Sequence, residues 1–146
     1  MTKANFRKNV RAFTLIELLV VLVILGLLAA LVGPRILGRI GGAKQEVAKS
    51  QIAMLEAALD QYRLDMGRYP TTEEGLKALI EPPEDEEAKK NWRGPYLKKR
   101  KIPKDPWGKE YHYRCPGEHG DYDLWSYGAD GEPGGEGENA DVTSWD

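Results

Sequence analysis

Two patterns of apolar and polar positions divide the N-terminal half of the chain. From Phe13 to Gly33 there are 21 residues, apolar almost without interruption, and Glu17 is the single charged one. As a helix rising about 1.5 Å per residue this run reaches roughly 30 Å, the thickness of a bilayer's hydrocarbon core. Beyond it the period changes. Ile52, Leu55, Leu59, Tyr62 and Met66 recur at steps of three and four, while Lys49, Glu56, Asp60 and Arg63 take the other faces. That is the stripe of an amphipathic helix packed on a soluble domain. Gly67 and Pro70 end it. Between the two patterns Pro34 predicts a kink or a local loosening, and Gly33, Gly38, Gly41 and Gly42 add flexibility. One long helix from residue 13 to about 66 is expected, half in the membrane and half outside it.

The remaining chain predicts smaller pieces. Thr71 and Glu74 have capping-box spacing, followed by Leu76, Leu79 and Ile80 and then Pro82 and Pro83, which predicts a short second helix. The run PPEDEEAKKN reads as a solvated charged loop. The next segment is too rich in Gly and Pro for helix. It predicts an extended piece around Tyr96 and a turn at Asp105-Pro106-Trp107-Gly108, with the Trp107 ring buried against the long helix. YHYRC and DYDLWSY predict two short strands joined by the turn PGEHG. The expected fold is α+β, a long N-terminal helix packed on a small antiparallel sheet. The domain divisions are a basic leader at 1–12, the apolar helix at 13–33, the amphipathic helix at 34–66 and a globular domain at 67–146.

Charge sharpens this picture. Residues 1–12 carry Lys3, Arg7, Lys8 and Arg11 and no acid; without them 17 basic residues face 23 acidic ones, a net charge of −6. A basic leader before an apolar run resembles a secretory signal, but this run is long enough to span and continues into a further helix, which favours a retained anchor. Arg35, Arg39 and Lys44 follow the run closely, so the positive-inside asymmetry is slight. A short leader on the cytoplasmic side is the simpler topology. Cys115 is the single cysteine and has no partner for an internal disulfide. The acidic balance and the lack of a basic surface patch argue against nucleic acid as a partner.

Candidate chemistry is sparse. No nucleophile–base arrangement or phosphate-binding loop is present, which argues against an enzyme. His112 and His119 in a hairpin, without cysteines, are a weak transition-metal pair. Glu17 has two readings of equal weight on its own: a carboxylate favoured by the start of a helix and nearby headgroups, or one awaiting a buried partner. The C-terminal segment DYDLWSYGADGEPGGEGENADVTSWD has eight acidic residues and no Lys or Arg. It reads either as a disordered acidic tail or, given Leu124, Trp125, Tyr127, Val142 and Trp145, as a glycine-rich loop folded between apolar anchors. A folded loop must offset the repulsion of its carboxylates, and calcium, a hard cation taking six to eight oxygens, is suited to do so. Its spacing does not match an EF-hand.

The N-terminal segment RAFTLIELLVVLVILGLLAALVGP resembles the signal shared by type IV pilins and pseudopilins. The resemblance implies cleavage by a prepilin peptidase between Ala12 and Phe13, with N-methylation of Phe13. Ala12 departs from the family pattern, which usually has glycine before the cut, and the expected consequence is slower processing at most. The resemblance also supplies a partner for Glu17. Cleavage creates an α-amine at Phe13, positive at neutral pH, and in a filament one subunit's Glu17 can meet a neighbour's amine and so set register.

GRYPTTEEGLKAL, GPYLKK, IPKDPWGKEYHY and SYGADGEPGGEGENADVTSWD together resemble the major pseudopilins of type II secretion systems, over almost the whole chain. This resemblance implies calcium in the C-terminal loop, held by Asp130, by the Tyr127 backbone carbonyl and by Asp141, with Glu138 and Asn139 as further candidates. Calcium would there take the place of the disulfide found in many type IV pilins. The implied function is that of a structural subunit, anchored once in the inner membrane with a periplasmic C-terminal domain. It would assemble with copies of itself and with minor pseudopilins on an inner-membrane platform, into a filament that drives folded proteins through an outer-membrane secretin. The alternatives are a type IV pilin of a surface or DNA-uptake filament, a minor pseudopilin, or a membrane-anchored calcium-dependent binding module or enzyme.

Overall fold

The computed structural model describes residues 12–146, with the stretch 34–40 described by its backbone alone. The basic leader therefore lies outside the described residues, apart from Ala12. Helix α1 spans Leu15–Met66 and continues through Pro34 without a break. The chain divides at Gly38 into two compact units.

In the N-terminal unit, Leu15–Gly33 forms a 19-residue apolar stretch of mean hydropathy 3.1 with none of its surface buried. Its large side chains are between 46% exposed, at Val21, and 87% exposed, at Leu15. Water does not stabilise such a surface, and a stretch of this length matches a bilayer or a bundle of like helices.

In the second unit the rest of α1 lays a stripe into the core. Ala48, Ile52, Leu55, Leu59 and Tyr62 are buried at alternating steps of four and three, and Ala58 is buried beside Leu59. Leu76, Leu79, Leu97, Tyr111, Leu124 and Val142 complete that core from the other side. Three short strands, β1 (His112–Arg114), β2 (Asp123–Ser126) and β3 (Val142–Thr143), form an antiparallel sheet in that order. Tyr113 pairs with Leu124, and Ser126 with Val142. The sheet and long helix are those expected; β3 was not foreseen.

A buried carboxylate organises the β1–β2 turn. Asp123 accepts from Arg114 Nη2 at 2.6 Å, from the Glu118 amide at 2.9 Å and from the His119 amide at 3.1 Å, with the His119 ring Nδ1 also 3.1 Å away. Burial works to raise its pKa, but the Arg114 guanidinium and the amide and imidazole partners outweigh this and hold it well below the usual carboxylate range.

Two expectations need correction. The Thr71–Glu74 pair makes one bond of a capping box, the Glu74 amide on Thr71 Oγ1 at 3.2 Å, while the Glu74 carboxylate accepts from the Thr71 hydroxyl, and the pair closes a turn and not a helix start. Gly75 then intervenes at φ +61°, outside the right-handed region, and only a 3₁₀ turn, Leu76–Leu79, follows. The charged run is not all loop. Helix α2 spans Glu86–Asn91, capped by Asp85, whose carboxylate accepts from the Ala88 amide at 2.9 Å. Acids in its first turn and lysines in its last suit the helix dipole, so this short helix forms without burying any side chain.

Candidate functional site

At the N-terminus, Thr14 caps α1: its Oγ1 accepts from the Glu17 amide at 3.2 Å. Glu17 thus sits in the first turn, where the helix dipole favours a carboxylate. Phe13 precedes the cap, 83% exposed, and Ala12 is exposed beside it. The cap holds the Glu17 backbone and leaves its carboxylate free of any hydrogen bond among the described residues. The spacing Thr14-x-x-Glu17 is a capping signal that the sequence reading passed over.

The C-terminal loop begins where β2 ends. Ser126 is fully buried; Gly128 adopts φ +76° and lies so close to the returning chain that a β-carbon there would stand 2.7 Å from the Ala140 carbonyl oxygen. Only glycine fits that approach. The Ala129 amide donates to the Glu138 carbonyl at 2.9 Å, which closes the loop on itself. Asp130 accepts from the Glu132 amide at 3.1 Å, and Asp141 Oδ2 from the Gly134 amide at 3.0 Å.

The expected ligands are therefore distributed unevenly. Asp130 and Asp141 both belong to the folded loop, and Asp141 Oδ1 is buried with no hydrogen-bond partner. An acceptor left in that state is costly unless something electropositive meets it. The Glu138 side chain is directed elsewhere, against Gly41 on α1, and Asn139 contributes main-chain atoms packed against Gly135. Tyr127 carries its carbonyl at the loop's entrance, its ring against His112. No three His, Cys, Asp or Glu side chains converge among the described residues. A calcium ion here fits only with main-chain carbonyls making up most of its shell, which its tolerance of neutral oxygens permits.

Other residues hold the loop in ways not anticipated from sequence. Gln45 of α1 donates to the Gly137 carbonyl and, at 3.4 Å, to the Ala140 carbonyl. Lys109 Nζ reaches the Ala129 carbonyl at 3.3 Å. Asp105, in the Asp-Pro-Trp-Gly turn, is buried and bonded to Ser126. The turn itself was legible, but the reach of its carboxylate across the fold was not. Trp107 is half-buried against the core cluster. His112 stacks with Trp125, and His119 lies flat on Trp145 at 4.0 Å, so the two histidines serve different aromatic contacts.

Comparison with known proteins joins the two ends of the chain. Residues 7–33 match the prokaryotic N-terminal methylation motif. That motif is common to the pilin and pseudopilin expectations. The deciding match covers residues 35–145, to the family described as type II secretion system (T2SS), protein G. The chain belongs to the type II secretion system protein G family.

Curated relatives agree over most of their lengths. The type II secretion system core protein G of Pseudomonas aeruginosa is 50% identical over 141 residues, covering 96% of this chain and 98% of the relative. That of Vibrio cholerae is 48% identical over 133 residues, covering 91% and 90%. Among solved structures, the major pseudopilin of the type 2 secretion system of enterohaemorrhagic Escherichia coli superposes with a TM-score of 0.62 at 39% identity, over 75% of this chain and 92% of that one. The chain is thus a pseudopilin, a structural subunit, and its methylation motif makes it a prepilin peptidase substrate. The type IV pilin alternative is set aside.

Proposed function

We propose that prepilin peptidase cuts this chain between Ala12 and Phe13 and methylates Phe13. The apolar helix then holds the subunit in the inner membrane, with the remainder in the periplasm. Assembly on an inner-membrane platform, with minor pseudopilins and many copies of itself, builds the pseudopilus that drives folded proteins through the secretin. The protein works by assembling and has no active site of its own. The observation that carries this reading is the exposed apolar stretch Leu15–Gly33, whose lone carboxylate, Glu17, stands beside the cleavage point. In a bundle of such helices each Glu17 meets a neighbour's new α-amine in a low-dielectric core. A slipped subunit would strand a buried charge, which costs several kcal/mol.

We further propose that the C-terminal loop binds calcium through Asp130, Asp141 and the Tyr127 carbonyl. The unpartnered Asp141 Oδ1 supports Asp141 as a ligand, and the placement of Glu138 against Gly41 makes Glu138 a weaker candidate, with Asn139 a further one. Bound calcium supplies the positive charge that offsets the loop's carboxylates. The experiment is thermal unfolding of the processed chain in detergent, with calcium and with chelator. Calcium at a hundred times its dissociation constant adds about 2.7 kcal/mol; identical melting in both conditions would refute the calcium site.

A further inference from the structure

The Asp-Pro-Trp-Gly turn holds one carboxylate oxygen more than a turn requires. Of the two Asp105 carboxylate oxygens, Oδ1 serves the turn, accepting from the Trp107 amide at 3.1 Å and the Lys109 amide at 2.8 Å. Beside it runs the main-chain bond from the Gly108 amide to the Asp105 carbonyl at 2.9 Å. Asp105 Oδ2 points across the fold and takes the hydroxyl hydrogen of Ser126 at 2.7 Å, inside the protein. Ser126 Oγ in turn accepts from the Gly128 amide at 3.2 Å. Asp105 is 5% exposed and Ser126 fully buried. Burying a carboxylate is expensive, and these bonds repay it only while all of them are made.

The end of this relay matters more than its start. The Gly128 N–H and the Tyr127 carbonyl belong to one planar peptide unit, so fixing the N–H fixes the direction of the C=O. The same turn extends a second arm, Lys109, whose ammonium holds the next carbonyl but one, that of Ala129. Both arms therefore finish on the short entrance to the acidic loop, one on each side of Gly128.

The geometry points to Asp105 and Ser126 as positioning residues for the calcium site, acting through the Tyr127–Gly128 peptide. This inference rests on the calcium reading of the loop. Neither side chain touches the ion. Asp105 orients the Ser126 hydroxyl, Ser126 locks the peptide, and the peptide presents the Tyr127 carbonyl. Outer partners of this kind commonly change metal affinity by about 10–100-fold when removed.

The test is calorimetric titration of calcium chloride into the processed full-length chain in detergent, with thermal unfolding in chelator run alongside. Ser126→Ala and Asp105→Asn each raise the calcium dissociation constant about 10–100-fold. The double variant is no weaker than the worse single one, because both act through one relay. Asp105→Asn is the milder change, since its side-chain oxygen still accepts both turn amides. Ser144→Ala is the control: Ser144 Oγ accepts from the Leu124 amide at 3.2 Å in the same sheet but does not touch the peptide. It lowers the melting temperature and leaves the dissociation constant alone. If Ser126→Ala and Asp105→Asn behave like Ser144→Ala, positioning is overturned while calcium binding stands. If the unsubstituted chain takes up no calcium, the calcium reading fails and this inference fails with it.

Discussion

Replacing Gly128 by alanine probes the loop's closure in a way that can be worked out beforehand. At φ +76° an L-residue meets a backbone conformation costing about 1–2 kcal/mol. The new β-carbon would also stand 2.7 Å from the Ala140 carbonyl oxygen and 2.9 Å from that of Glu138. Both contacts are main chain, so relief requires the 138–140 segment to move, and forced contacts of this type cost about 1–3 kcal/mol. The expected loss is about 2–5 kcal/mol. Gly134→Ala separates the two terms, because Gly134 has φ +82° with nothing within 4 Å of an added β-carbon. It carries the backbone cost alone, about 1–2 kcal/mol. The four tryptophans, Trp92, Trp107, Trp125 and Trp145, all lie in the second unit, so urea unfolding followed by tryptophan fluorescence reports that unit even in the full chain. Measured in chelator, Gly128→Ala should exceed Gly134→Ala by about 1–3 kcal/mol. Equal losses would show that the entrance of the loop does not lie against residues 138–140.

Two further substitutions test the packing and the charge of the same unit. Leu59→Ala on the buried stripe should cost about 2–5 kcal/mol in urea unfolding, whereas Leu64→Ala, at a position 83% exposed, should stay within about 0.5 kcal/mol; equal effects would contradict the assignment of the buried face. Asp123→Asn should destabilise by roughly 2–3 kcal/mol at neutral pH, towards the low end for a broken ion pair because Arg114 is partly exposed. The folded Asp123 carboxyl titrates well below the unfolded value of about 3.9, so the unfolded chain binds more protons in between. Its contribution is complete above the unfolded value and is lost as pH falls through the folded one. The gap between wild type and Asp123→Asn should therefore be flat above pH ~5 and narrow towards pH ~2; a gap independent of pH would refute the ionised pairing.

The parts of this protein that were legible in its sequence are those where one physical signal dominates. A 19-residue apolar stretch and a three-and-four stripe leave little choice but helix, and two aromatic runs around PGEHG leave little choice but a hairpin. Misreadings fall where two local signals compete. Thr71 takes the Glu74 amide as a helix cap would, yet Gly75, at positive φ, stops the chain from continuing as a helix. PPEDEEAKKN was read by its charge, which is right about solvent, while Asp85 and the ordering of acids before lysines were enough for α2. Strand β3 is two residues long and exists because the chain returns to pair with β2, a tertiary fact that no local pattern carries. The loop divides in the same manner. Glycine and acid content marked it, and Asp130 and Asp141 lie in it as expected. The direction of Glu138 towards Gly41, and the hold that Gln45, Lys109 and Asp105 have on its main chain, depend on contacts between residues far apart in sequence.

On the function proposed above, Glu17 acts between subunits and not within one. Its amide already rests on Thr14, so losing its carboxylate leaves the cap and the fold of the second unit intact. The measurement is pseudopilus formation by Glu17→Ala in cells carrying the secretion system, with the mass of the processed chain determined from the same membranes. The expected result is a chain cut after Ala12, methylated at Phe13, present in the membrane at normal amounts, and absent from filaments. Filaments at wild-type abundance built from Glu17→Ala subunits would contradict it.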